Sequence, residues 1–202
     1  MQSDTETATK TFPSDDCEQG RAHGPSWVRW LGHLSGKPDV VGVELGCWLG
    51  ESAAWFADHI CDGPGSRLHT VDHFLGSDEH KLAGIDCTKN EAIARERLAR
   101  FGHRVAIQKM ETATFLRSCP FKVDFVYCDA SHDAANVLRD SLLSFDLLKV
   151  GGHLVWDDAL WEVMPDPVDR PKLAIESFIA CFARKLEVVS LGGWQVCVRK
   201  VA

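Results

Sequence analysis

The sequence predicts an α/β domain: a doubly wound, mostly parallel sheet of seven strands, with helices on both faces and an antiparallel hairpin at its C-terminal end. Three observations predict it. Runs such as Val40–Leu45 and Phe121–Asp129 are nearly solid in strand-forming residues, as strands covered on both faces are. Segments with helical apolar spacing follow them, so strand and helix alternate. The last two strand-like runs, Leu186–Leu191 and Trp194–Lys200, are joined only by Gly192-Gly193, which makes them a hairpin.

Met1 to Gly24 is polar and aperiodic and reads as a flexible tail, leaving 25–202 as a single domain. Trp27, Trp30, Leu31 and Leu34 recur at helical spacing, so an amphipathic helix leads into the fold and stops at Gly36-Lys37-Pro38. Val40–Leu45 is the first strand, Ala53, Phe56, Ala57 and Ile60 mark the helix after it, and Arg67–Asp72 is the second strand. His73–Lys89 is a long irregular segment, of the kind that usually has a function. A helix over Asn90–Phe101, a strand over Arg104–Gln108 and a short helix over Thr112–Arg117 follow. Phe121–Asp129 is the fourth strand and Asp133–Lys149 a helix; Gly151-Gly152 then turns the chain into a fifth strand, His153–Trp156. The proline-rich stretch Met164–Pro171 is a rigid loop, and Leu173–Arg184 is a largely apolar, buried helix.

Composition narrows the function classes. A chain of 202 residues with 45% hydrophobic and 25% charged residues suits one soluble domain. The net charge of −7, with no cluster of Lys and Arg, speaks against nucleic acid as partner. The eight cysteines show no metal-finger spacing, and no apolar run is long enough to span a membrane. Polar opening residues and free thiols point to the cytoplasm, and a small molecule is the expected partner. The apolar entry helix and terminal hairpin are surfaces that could support a homodimer.

Function concentrates around Glu44-Leu45-Gly46-Cys47-Trp48-Leu49-Gly50-Glu51-Ser52, a strand end, a glycine turn and a helix start. Such a turn holds nucleotide-like ligands in α/β folds. The dinucleotide spacing G-x-G-x-x-G is missing, which argues against a nicotinamide oxidoreductase. Five acids fall at the carboxyl ends of four strands: Glu44, Asp72, Asp129, Asp157 and Asp158. Each has an ordinary reading as a cap or turn residue. Together they read as a site. Asp72 can accept ribose hydroxyls and Glu44 can face a cationic ligand end. The carboxylates of Asp129, Asp157 and Asp158 repel one another unless a hard cation such as Mg²⁺ lies between them.

The order E-x-G-x-x-x-G, Thr70-Val71-Asp72, Asp129-Ala130-Ser131-His132, Leu147–Gly152 and Trp156-Asp157-Asp158 resembles the class I S-adenosylmethionine (SAM) methyltransferases. Within them it is most similar to the small bacterial macrocin-type and catechol-type metal-dependent O-methyltransferases, over roughly Trp27 to Lys200. The resemblance implies a Rossmann-like fold and O-methylation of a small hydroxylated metabolite such as a sugar or phenol. It implies that Glu44, Gly46, Gly50 and Ser52 line the methionine end of S-adenosyl-L-methionine, with Cys47 and Trp48 of the same turn also binding the cofactor and Trp48 covering it. Asp72 would hold the ribose, with His73, Phe74 and Glu111 about the adenine. Asp129, Asp157 and Asp158 would be the metal ligands, Asp129 also bordering the cofactor. Some members carry an acidic base where this chain has Ser131. His132 is then the candidate base, or else an orienting group or a cap. A metal-independent N-methyltransferase and a non-catalytic binding module are the alternative readings.

Overall fold

A computed structural model of the chain describes residues 18–77, 80, 81, 83–163 and 165–202. Its helices are α1 (Glu18–Leu31), α2 (Glu51–His59), α3 (Asn90–Leu98), α4 (Thr112–Ser118), α5 (Ala134–Leu147) and α6 (Pro171–Phe182). The strands are β1 (Val41–Leu45), β2 (Arg67–Asp72), β3 (Val105–Lys109), β4 (Val123–Cys128), β5 (Leu148–Trp156), β6 (Leu186–Ser190) and β7 (Val196–Lys200). They form one seven-stranded sheet in the order β3-β2-β1-β4-β5-β7-β6. The pairings from β3 through β5 are parallel, and β7 runs antiparallel to both β5 and β6. This is the Rossmann-like, mostly parallel architecture the sequence predicts.

Alternation along the strands divides the core into two layers. Phe125, Tyr127, Val155 and Cys197 point to one face, where Trp27 of α1, Phe56 of α2 and Leu98 of α3 cover them. Val43, Val126, Leu154 and Trp156 point to the other, under Phe115 of α4, Phe145 of α5 and Phe178 of α6. Trp27 is fully buried, with its ring 4.7 Å from Phe56 and 5.4 Å from Tyr127. It fastens α1 to the sheet.

Two expectations need correction. Residues 1–17 of the expected tail lie outside the described residues, but 18–24 belong to α1, which runs through Pro25. The packed face of those first turns is made by Gly20 and Gly24. A Cβ on Gly24 would stand 3.3 Å from Trp55, so close packing replaces the apolar periodicity that marks the later turns. The second correction concerns β5, which starts at Leu148 and runs through the glycine pair instead of after it. Gly151 takes φ +89°, and the pairing with β4 shifts register between Val123 and Phe125, so the glycines form a bulge inside the strand. Met164 of the proline-rich loop lies outside the described residues, and Pro167–Asp169 is a 3-10 turn.

Candidate active site

Strand order reverses between β1 and β4, and ligands of such sheets lie in the crevice this opens at the carboxyl ends. A cavity of about 550 Å³ occupies that place. Its floor begins with Gly46, whose N–H donates to Val71 O at 2.9 Å and whose φ is +91°. A Cβ there would stand 1.9 Å from the carbonyl oxygen of Asp129, so β1 and β4 close on each other only over glycine. Gly50, at φ +77°, opens α2, with Leu98 packed within 3.2 Å of where its Cβ would be.

Asp72 ties this turn to β2. Its Oδ2 accepts the N–H groups of Cys47 and Trp48, both at 2.9 Å, and its Oδ1 accepts that of Phe74 at 2.7 Å. The carboxylate therefore organises the cradle and keeps one of about four acceptor positions for a ligand. Trp48, at φ +50°, stacks on His80 at 4.3 Å across the cavity wall. His73 and Phe74 continue that wall, and Glu111, the residue before α4, stands on the other side.

Glu44 and Gly50 do not line the cavity. Glu44 is fully buried at the end of β1 and accepts hydrogen bonds from Thr70 and Ser52. Burial pushes its carboxyl up to about 8, against those two hydrogen bonds and with the help of Asp129 and Asp72. Cys47 is buried next to Glu44, and burial raises its thiol far above the range in which a thiolate forms. It is a packing residue, not a nucleophile.

At the opposite end, one ligand atom each from Asp129, His132 and Asp158 lie within 4.8 Å of one another. His132 Nε2 is 2.9 Å from Asp158 Oδ2 and 3.9 Å from Asp129 Oδ1, and its ring stacks on Trp161 at 4.7 Å. His132 does not cap α5: Asp133 does, accepting from Asn136 N–H at 3.0 Å. The Asp129 side chain keeps 21% exposure to the cavity. Its carboxyl is nonetheless raised, first by burial at the strand end and then by Asp157 and Asp158, with His132 opposing the shift.

Asp157 is not brought into this group. Its carboxylate turns away from the cavity, taking hydrogen bonds from the Tyr127 hydroxyl, from Gln195 Nε2 at 3.0 Å and from Asp158 N–H at 2.9 Å. The all-oxygen set of three aspartates expected from the sequence is thus replaced, in geometry, by two aspartates and a histidine. Asp157 continues the alternation of β5 toward Tyr127, and Asp158 leaves it at φ +53°, so the adjacent aspartates diverge.

The sequence profile of a family described as a methyltransferase domain matches residues 43–159, which run from β1 past the aspartate pair. The chain belongs to this methyltransferase family. No curated protein matches it. Among solved structures, the O-methyltransferase TomG from Streptomyces achromogenes, involved in tomaymycin synthesis and in complex with SAM, superposes with a TM-score of 0.63 at 17% identity over 91% of this chain and 80% of TomG. An O-methyltransferase from Bacillus cereus in complex with SAH gives 0.60 at 19% identity, covering 96% and 84% of the two chains. The N-methyltransferase NodS from Bradyrhizobium japonicum gives 0.61 at 18% identity, over 93% and 99%. These likenesses show the shared fold, and they include both oxygen and nitrogen methylation.

Several residues of this SAM-dependent methyltransferase's cavity escape the sequence pattern. His80, in the long irregular segment, packs against Trp48 and lines the cavity with Ser77 and Lys81. Asn136 and Arg139 face the cavity from α5, one turn apart. In the sequence they are two polar residues at i and i+3, set beside the apolar repeat of Ala134, Leu138, Leu142 and Phe145.

Proposed function

We propose that this SAM-dependent methyltransferase transfers the methyl group to a hydroxyl of a small molecule, held over Asp129, His132 and Asp158, with a divalent cation bound by those three side chains. The observation that carries the reading is the convergence of two carboxylates and an imidazole at the ends of β4 and β5, beside the glycine cradle. Methyl transfer from a sulfonium needs no acid. A hydroxyl acceptor, however, must lose its proton, and a group of this kind serves that need.

Gly46 leaves room where a side chain would block the cofactor, and the cavity volume suits SAM together with a small acceptor. Two carboxylates and one imidazole suit a divalent ion, and the nitrogen donor widens the choice from Mg²⁺ to Mn²⁺ or another first-row ion. A bound cation would lower the hydroxyl pKa and orient the oxygen. The chain's own part is to hold donor and acceptor in line, with Trp161 and His132 walling the acceptor side and Trp48 and His80 the cofactor side.

A second reading has its own support. His132 Nε2 stands 2.9 Å from Asp158 Oδ2, and an imidazole beside a carboxylate can take the acceptor's proton without a metal. One experiment separates them: chelator-treated protein, with SAM binding verified by calorimetry, is assayed on a panel of sugars, phenols and amines with and without Mg²⁺ or Mn²⁺. Activity on hydroxyls that disappears in chelator and returns with the ion supports the first reading. Full activity in chelator leaves the second, and methylation of amines alone overturns the choice of oxygen.

A further inference from the structure

We propose that Asp157 is a positioning residue: with Tyr127 and Gln195 it fixes the turn that aims the Asp158 carboxylate at His132, and it supplies no atom to the cavity. The proposal rests on the reading of Asp129, His132 and Asp158 as the acceptor-side group.

Register explains why Asp157 faces backwards. Val155 belongs to the face covered by α1 and α2, and alternation sends the side chain of Asp157 to that same face, where Tyr127 lies. On the other side β7 pairs antiparallel with β5, Trp156 opposite Val196, so the next pair sets Gln195 opposite Asp157. Tyr127 is fully buried, and Gln195 and Asp157 are 5% and 8% exposed. A carboxylate there, away from water, has its acceptor positions met by donors: the tyrosine hydroxyl and the glutamine amide on Oδ2, and the Asp158 N–H on Oδ1.

The third of these bonds matters for the site. Asp158 holds φ +53°, a conformation that side-chain-bearing residues rarely adopt. Its N–H is held by Asp157 and its carbonyl accepts the Trp161 N–H at 2.9 Å. Ala159 N–H is fixed in turn by Trp194 O at 2.8 Å, the residue next to Gln195. The turn between β6 and β7 therefore anchors both ends of a strained residue whose carboxylate meets His132 at 2.9 Å. Two residues far apart in sequence, Tyr127 and Gln195, act on the cavity through Asp157 without touching it.

The test uses the full-length chain with Mn²⁺ as probe, read by electron paramagnetic resonance, and amide hydrogen exchange at Asp158 as a readout independent of any metal. Asp158→Asn is expected to weaken Mn²⁺ binding by about 100-fold, whereas Asp157→Asn and Gln195→Leu weaken it by about tenfold or less, the range of residues that orient a ligand. Both of the latter accelerate exchange of the Asp158 amide by about tenfold, and the double variant exchanges no faster than Asp157→Asn alone, because the two act through one bond network. Loss of Mn²⁺ in Asp157→Asn equal to that in Asp158→Asn overturns the proposal. So does an Asp158 amide that exchanges alike in wild type and both variants. If the wild-type protein binds no Mn²⁺, the cation of the proposed function falls, and amide exchange alone decides for or against the positioning role.

Discussion

Replacing Glu44 by Gln removes the titration of a carboxyl that the fold keeps protonated. Glu44 has no exposed surface, and its carboxyl is pushed from an ordinary 4.5 up to about 8. Between these two values the folded chain holds a proton that the unfolded chain has released. Stability from this group is therefore greatest below pH 4.5 and falls as pH rises toward 8. Each unit is worth about 1.4 kcal/mol, so the 3.5-unit difference costs the wild type about 5 kcal/mol by pH 9. Gln keeps an acceptor for Thr70 and Ser52 but does not titrate. Urea unfolding followed by circular dichroism from pH 4.5 to 9.5 should give two curves within about 1 kcal/mol of each other at the acid end and several kcal/mol apart at the alkaline end, the Gln variant higher. Parallel curves across the whole range would refute the buried, protonated state of Glu44.

Three further outcomes are expected. Gly46→Ala sets a methyl group 1.9 Å from Asp129 O at φ +91°, so β1 and β4 must part; calorimetry should find SAM binding lost, and binding unchanged would contradict the cradle geometry. His153 is 5% exposed and burial, with His33 and Arg199 nearby, lowers its pKa from 6.5 to about 4. Its neutral form stabilises the fold above pH 6.5, and about 3 kcal/mol is lost as pH falls through 6.5 toward 4, so His153→Phe should flatten the acid limb of the stability profile. Trp27→Ala empties the contact among α1, Phe56 and Tyr127 and should cost about 3–5 kcal/mol, seen as a large drop in melting temperature; a drop of under 2 °C would mean that α1 is not fastened there.

The sheet was legible in the sequence because strands covered on both faces are rich in apolar and β-forming residues, as β4 is with Val123, Phe125, Val126 and Tyr127. The first turns of α1 were not, since Gly20 and Gly24 make their packed face and leave no hydrophobic stripe to read. The glycine pair of β5 looked like a turn because bulge and turn use the same residue for the same backbone reason. At the site, the acids at strand ends announced the cavity, but a list of acids carries no direction. Strand parity places Asp157 on the face of Tyr127, but it cannot place Asp158, whose φ of +53° takes it out of the strand. Gln195 gave no signal at all, because its importance comes only from a strand pairing between distant segments.

That pairing divides the cavity between two parts of the chain. The glycine cradle needs only β1, β2 and β4 in register, contacts that the first two thirds of the chain can make. The aim of Asp158 depends on β7, which lies between β5 and β6 and brings Gln195 to Asp157. The place for the methyl donor is thus built by residues up to β4, whereas the acceptor side depends on the last strand: a chain cut short before β7 would lose Gln195 and Trp194, the two anchors of the Asp157-Asp158 turn.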